Sequence, residues 1–190
     1  MSVAQLSLLD QSELLELVPA HPPIAEGDNH GAVFTKAWVV DLMLDLSDYR
    51  AECDLSKLRL LEPSCGDGAF LQRIVKRLSD SLRAHGHAIH DARNAIRAYE
   101  LQGHNVQAAR ERITELLVAE GWTNVDEIVA HWIRHADYLL AADGADFDLV
   151  VGNPPYIRAQ EIPEERRNTY MRLWSTMTMG TDIFVGFIEK

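Results

Sequence analysis

The sequence predicts an α/β domain built on a mostly parallel sheet. Three observations point there. Short apolar runs alternate with longer segments whose apolar residues recur at helical spacing. Each apolar run is followed by an unusual turn rich in Gly, Pro or acidic residues. The 190 residues, 47% hydrophobic and 25% charged, are ordinary for one soluble globular unit.

The elements follow in order. Leu6, Leu9, Leu14 and Leu15 give residues 4–17 a helical pattern. The Pro-, Gly- and polar-rich stretch 19–31 reads as a linker, so residues 1–30 form an N-terminal helix and linker ahead of a domain over 31–190. Residues 36–46 form an amphipathic helix, and LRLLE at 58–62 a short buried strand. The turn SCGDG leads into a long helix over 69–86, with Phe70, Leu71, Ile74, Val75 and Leu78 on its apolar face. A strand at 94–101 precedes a helix at 105–121 that ends at Gly121. Residues 125–140 are mixed, helical first and extended over 132–137. A buried strand at 147–152, a helix at 164–174 and a helical apolar face over 182–190 complete the pattern.

Composition excludes several classes. No run approaches the roughly 20 apolar residues that span a bilayer. The first residues contain acids and no basic start, unlike a signal peptide. Cys53 and Cys65 stand in no metal or redox spacing, so a cytoplasmic, reducing setting fits. A net charge of −11 argues against a protein that coats nucleic acid, since phosphate neutralisation needs clustered Lys and Arg. Any nucleic-acid role then belongs to a local site or to a part of the protein outside this chain.

In a parallel sheet with right-handed crossovers, the carboxyl ends of the strands share one edge, and ligands bind outside it. Four turns meet there: EPSCGDG after 58–62, Glu100 after the second strand, Asp137-Tyr138, and NPPY at 153–156. In the first turn Gly66 and Gly68 allow close approach of a ligand to backbone at a helix N-terminus. Neither the phosphate-loop pattern nor a full G-x-G-x-x-G is present, because Leu71 stands at the third glycine position. Glu62 and Asp67 would repel a pyrophosphate but not a ligand with a positive centre. A ligand-free tight turn is the alternative. Glu100 lies farther downstream than the roughly 20 residues usual for a ribose-binding acid, and the stretch 82–94 reads as an insertion that explains the distance. A solvated glutamate and a surface turn remain the plain readings of Glu100 and of Asp137-Tyr138 taken singly.

Taken together, EPSCGDGAFL and NPPY resemble the class I S-adenosylmethionine-dependent DNA adenine-N6 methyltransferases, in the branch found in combined restriction–modification enzymes. GAVFTK at 31–36 resembles that family's N-terminal cofactor motif, with Lys36 in place of the usual proline. TDIFVGFIEK at 181–190 resembles the helix motif that packs near the cofactor and target pocket. The resemblance covers about residues 30–190. NPPY alone is less specific, since protein-glutamine methyltransferases share it, but their first turn is of a D-x-G-x-G-S-G kind.

The resemblance implies a Rossmann-like methyltransferase fold, here a partial catalytic domain ending before the last strands, with the target-recognition region absent. It implies S-adenosyl-L-methionine as cofactor, double-stranded DNA as partner, and no metal. Phe34 and Thr35 would contact the methionine end of the cofactor. Glu62, Ser64, Gly66 and Gly68 would shape its pocket, Glu100 would take the ribose hydroxyls, and Asp137 with Tyr138 would take the adenine. Asn153 and the Pro154 carbonyl would accept the two hydrogens of the target amine. Pro155 would lie nearer the cofactor, and Tyr156 would stack on the flipped base. Two acceptors suit this chemistry because adenine N6 is a poor nucleophile until its lone pair is freed from the ring. A protein-glutamine methyltransferase and a non-catalytic cofactor-binding scaffold are the competing readings.

Other features carry less. HGHAIH at 85–90, and His131 with His135, lack the partners of a metal site. Arg158, Arg166, Arg167 and Arg172 either face DNA phosphates or pair with the interleaved Glu161, Glu164 and Glu165.

Overall fold

A computed structural model describes residues 35–142 and 146–190. The helix expected at 4–17, the linker at 19–31 and Phe34 lie outside the described residues. Among those described, four parallel strands form one sheet in the order β3-β2-β1-β4. They are β1 (Leu60–Glu62), β2 (Ile96–Glu100), β3 (Ile133–His135) and β4 (Leu149–Val150). Helix α1 (Ala37–Leu46) precedes β1. Helix α2 (Ala69–His85) connects β1 to β2, and α3 (Gly103–Ala119) with α4 (Asp126–Trp132) connects β2 to β3. Helices α5 (Glu164–Leu173) and α6 (Phe184–Glu189) follow β4. The alternation read from the sequence is therefore the fold.

Strand periodicity assigns each face its own core. Leu60, Ile96, Ala98 and Ile133 point to one face and join the buried sides of α1 to α4, including Leu71, Ile74, Leu78, Ile113 and Trp132. Leu61 and Tyr99 point to the other face and meet Tyr138, Leu139, Tyr170, Trp174 and Met177. The segment after β4 thus forms a second layer over the sheet. Polar residues tie α1 to α2: Arg73 reaches the Asp41 carboxylate at 2.5 Å, and Arg77 reaches that of Asp45 at 2.7 Å.

Two elements differ from expectation. The mixed stretch 125–140 resolves into helix, strand and a 3-10 turn at Tyr138–Leu140, so the extended part is only 133–135. The strand expected at 147–152 pairs over two residues. Val151 still donates to the Leu61 carbonyl at 2.9 Å, but Pro154 and Pro155 have no N–H with which to extend the ladder. Nor is β4 buried throughout. Val150, the register partner of Leu61, is 56% exposed because the second layer covers Leu61 and Tyr99 and stops short of it.

Candidate functional site

All four strands run the same way, so their carboxyl ends share an edge. Glu62 closes β1, Glu100 closes β2, Asp137 follows β3 by two residues and Asn153 follows β4 by three. These four side chains line one cavity of about 630 Å³. That volume falls in the range of about 300–1,000 Å³ typical of small-molecule sites. Thr35, Ser64, Gly66, Tyr138 and Pro155 line it too. Gly68, Pro154 and Tyr156 do not; Tyr156 lies outside it and is 51% exposed.

The first turn is held from three directions. The Cys65 N–H donates to the Tyr99 carbonyl at 2.9 Å, which pins the turn to β2. Glu100 accepts the Gly66 N–H at 3.0 Å on one oxygen and the Gln102 N–H at 2.7 Å on the other. Asp67 also lines the cavity and pairs with Arg112 of α3 at 2.8 Å. The repulsive charge expected of Asp67 is thereby offset by an arginine that no motif marks out.

Glu62 is the most unusual group. It is 1% exposed, and its Oε2 has no hydrogen-bond partner. Burial pushes its carboxyl well above the usual range, and the nearby Glu100 carboxylate adds to this. An unpaired carboxylate at this depth is destabilising unless a ligand supplies a positive charge or N–H donors. The cavity therefore suits a ligand with a cationic end. The native pKa of Glu62 lies above its unfolded value, so its ionisation penalty is absent below about pH 4.5 and grows as pH rises toward the native pKa. Glu62→Gln should therefore raise stability at pH 8 by about 1–3 kcal/mol, with little change at pH 4, while weakening ligand binding. Urea denaturation at the two pH values checks this; a variant destabilised at both would refute it.

Asp137 is largely buried and accepts three hydrogen bonds. Its Oδ1 accepts the Leu139 N–H at 3.1 Å, and its Oδ2 accepts the Tyr170 hydroxyl at 2.5 Å and the Arg166 guanidinium at 3.2 Å. Burial pushes its carboxyl up, and the Tyr170 hydrogen bond and Arg166 charge oppose the shift. The neighbouring Tyr138 ring is only 7% exposed. It packs against Tyr99 and Phe187, each at 5.5 Å between centroids, and the Lys190 ammonium lies 4.4 Å from its centroid. These neighbours crowd the ring, which still lines the cavity.

The NPPY turn is braced at both ends. Asn153 donates through Nδ2 to the Thr35 hydroxyl at 3.1 Å, and its Oδ1 accepts the Tyr156 hydroxyl at 3.1 Å. Just beyond, the Ile157 N–H donates to Asp182 at 3.1 Å, and the Ile183 N–H donates to the Ile157 carbonyl at 2.8 Å. The Tyr156 ring lies 5.9 Å from that of Phe184, and Ile183 and Phe187 line the cavity. The 181–190 segment therefore packs against the cavity and the turn, as its motif suggests.

Sequence reasoning also misplaces one residue and overlooks another. Arg166, grouped with the arginines that could face phosphates, is 5% exposed and points inward to Asp137. Tyr170 stands one helical turn later on the same face and belongs to no motif; the i, i+4 spacing of Arg166 and Tyr170 is the available signal. Arg172 bonds Thr169 of its own helix at 3.2 Å. His135 contacts the Leu101 carbonyl at 3.1 Å, and among the described residues no group of three His, Cys, Asp or Glu could hold a metal ion. Nor is any described helix long and apolar enough to cross a membrane.

A parallel sheet with acids and an asparagine at successive strand ends around one small-molecule cavity defines a Rossmann-like domain of the methyltransferase type. The chain belongs to the Eco57I restriction-modification methylase family, whose sequence pattern matches residues 40–190. It is 39% identical over 170 residues to the type II methyltransferase M.BstVI of Geobacillus stearothermophilus, across 84% of this chain and 30% of that protein. It is 40% identical over 165 residues to type II methyltransferase M.PaeR7I of Pseudomonas aeruginosa, across 84% of this chain and 29% of that protein. Type II methyltransferase M.XhoI of Xanthomonas vasicola is 36% identical over 169 residues, across 86% of this chain and 31% of its own. The chain thus spans about three tenths of the length of these curated relatives.

Proposed function

We propose that this domain transfers a methyl group from S-adenosyl-L-methionine to the N6 amino group of a flipped-out adenine in double-stranded DNA, within a restriction–modification or phage-defence system. The observation that carries this reading is the placement of Asn153 in the lining of the same cavity that holds Glu62, whose Oε2 is buried without a partner. Relatives named as type II methyltransferases support it.

When bound, the cofactor supplies an electrophilic sulfonium methyl group. The chain's residues do the rest. Glu62 offers its free oxygen to the positive methionine end, and Glu100 keeps lone pairs for ribose hydroxyls beyond the two N–H bonds it accepts. Thr35 fixes the Asn153 carboxamide, because accepting from Nδ2 leaves Oδ1 aimed at the target. Asn153 Oδ1 and the Pro154 carbonyl then accept hydrogen bonds from the two amine N–H groups, which draws the nitrogen toward tetrahedral geometry; as its new bond to the methyl carbon replaces the carbon–sulfur bond, the nitrogen becomes cationic and gives up one of those protons to solvent. The Tyr156 hydroxyl gives up its bond to Oδ1 as the base arrives, and its ring stacks on that base, a contact worth roughly 1–3 kcal/mol. That offsets part of the few kcal/mol needed to extract the base. Much of the acceleration then comes from fixed geometry between amine and methyl.

The test is a methylation assay on duplex DNA with radiolabelled S-adenosylmethionine, using the full-length protein. Digestion to nucleosides should yield labelled N6-methyladenine. Label in protein glutamine with none in DNA would sink the reading.

A further inference from the structure

Asp137 is held by a helix that lies after the NPPY turn in the chain. Both side chains that reach it from α5, Arg166 and Tyr170, also line the cavity. The contacts are asymmetric. Oδ2 takes both α5 donors, while Oδ1 takes only the Leu139 N–H. A carboxylate offers about four acceptor positions, so these three donors leave one, on a residue that itself lines the cavity. The turn that carries Asp137 is fixed from the same layer. Trp174 donates to the Leu139 carbonyl at 3.2 Å, and Lys190 donates to the Tyr138 carbonyl and, at 2.6 Å, to that of Ala141.

We propose that Arg166 and Tyr170 are positioning residues that keep Asp137 an ionised, fixed acceptor, so that the layer following the NPPY turn sets the purine selectivity of the cofactor pocket. This rests on the cofactor reading above. An ionised carboxylate only accepts, and therefore selects a purine that presents an amino group. A protonated one can also donate, and therefore tolerates a purine carbonyl at that position. Burial alone favours the protonated form, and the α5 donors oppose it. The groups facing Asp137 are Arg166 and Tyr170 from α5 and Lys190 beyond α6. Glu62, Glu100 and Glu161 line the same cavity. With Arg166 gone, Asp137 would titrate at higher pH than in the parent, so amine selectivity would be lost first at low pH and regained as pH rises.

Calorimetry with S-adenosylhomocysteine and with its analogue carrying a 6-oxo purine tests this between about pH 6 and 9. The parent should favour the amino compound by at least about tenfold throughout. Arg166→Gln should lose about tenfold of that preference at the low end and recover it at the high end. Arg166→Lys should restore the parental profile. Tyr170→Phe keeps the ring and its packing, and should give a loss of the same pH sense and of at least similar size, since its hydroxyl is the closer of the two donors. An Arg166→Gln or Tyr170→Phe variant that weakens both compounds equally, with a flat pH profile, would overturn the proposal while leaving the cofactor reading intact. Binding of neither compound by the parent would overturn the cofactor reading and this proposal with it.

Discussion

Asn153→Ala is expected to lower methyl transfer by on the order of 10²–10³-fold while changing cofactor affinity by less than about threefold. The asymmetry follows from where the side chain points. Its carboxamide lines the cavity, is held by Thr35 on the nitrogen side and touches Tyr156 on the oxygen side. The groups proposed for the cofactor's two ends, Glu62 with Glu100 and Asp137, lie at the ends of β1, β2 and β3 and contact Asn153 through none of their hydrogen bonds. Removing the amide therefore removes one of two acceptors from the reacting nitrogen while leaving the groups proposed for the cofactor in place. Asn153→Asp is the informative companion. It keeps an acceptor oxygen and the shape, but it loses the Nδ2 donor that Thr35 accepts. It should fall between the parent and Asn153→Ala at neutral pH. Single-turnover assays with saturating cofactor, alongside calorimetry, separate the two effects. Turnover unchanged in Asn153→Ala would remove that residue from the chemistry.

The strand ends were legible in the sequence, and the layer above them much less so. Glu62, Glu100, Asp137 and Asn153 could be placed together because parallel strands must finish on one edge, whatever their side-chain contacts. The glycines of the first turn were legible for a similar reason, since a strand that turns at once into a helix constrains the backbone. What could not be read was which side of α5 faces inward. Its sequence EERRNTYMRL is too polar to show an apolar stripe, so Arg166 resembled a surface cation. Only the burial of Asp137 gives that arginine a reason to point in. Tyr138 is the converse case. Its place beside an acid suggested a face for a purine, but the neighbours that pack around it, Tyr99, Phe187 and Lys190, come from distant parts of the chain and no local pattern announces them.

Gly68→Ala should destabilise the fold by about 2–4 kcal/mol, and Gly66→Ala by only about 1–2 kcal/mol, although the two glycines are two residues apart. Both have left-handed backbone, at φ +55 for Gly66 and φ +82 for Gly68, so both substitutions incur the roughly 1–2 kcal/mol that an L side chain loses there. They part on packing. A Cβ on Gly66 would meet nothing within 4 Å. A Cβ on Gly68 would lie 3.0 Å from both Cα and Cβ of Ala109. Those atoms are backbone and the stub of a side chain on α3, so nothing flexible can yield, and α2 and α3 must separate. Overpacking of this kind adds about 1–3 kcal/mol. Gly68→Ala combined with Ala109→Gly should recover part of the loss, because the clash with the Ala109 methyl group is relieved while the clash with its backbone persists. Thermal and urea denaturation of the three variants decide the matter; equal losses for Gly66→Ala and Gly68→Ala would refute the packing argument. The functional losses should rank the other way per unit of stability. Gly66 lines the cavity and its N–H bonds Glu100, so its methyl group narrows the cavity directly. Gly68 acts one step removed, by setting how closely α2 and α3 pack beneath the turn that Glu100 holds.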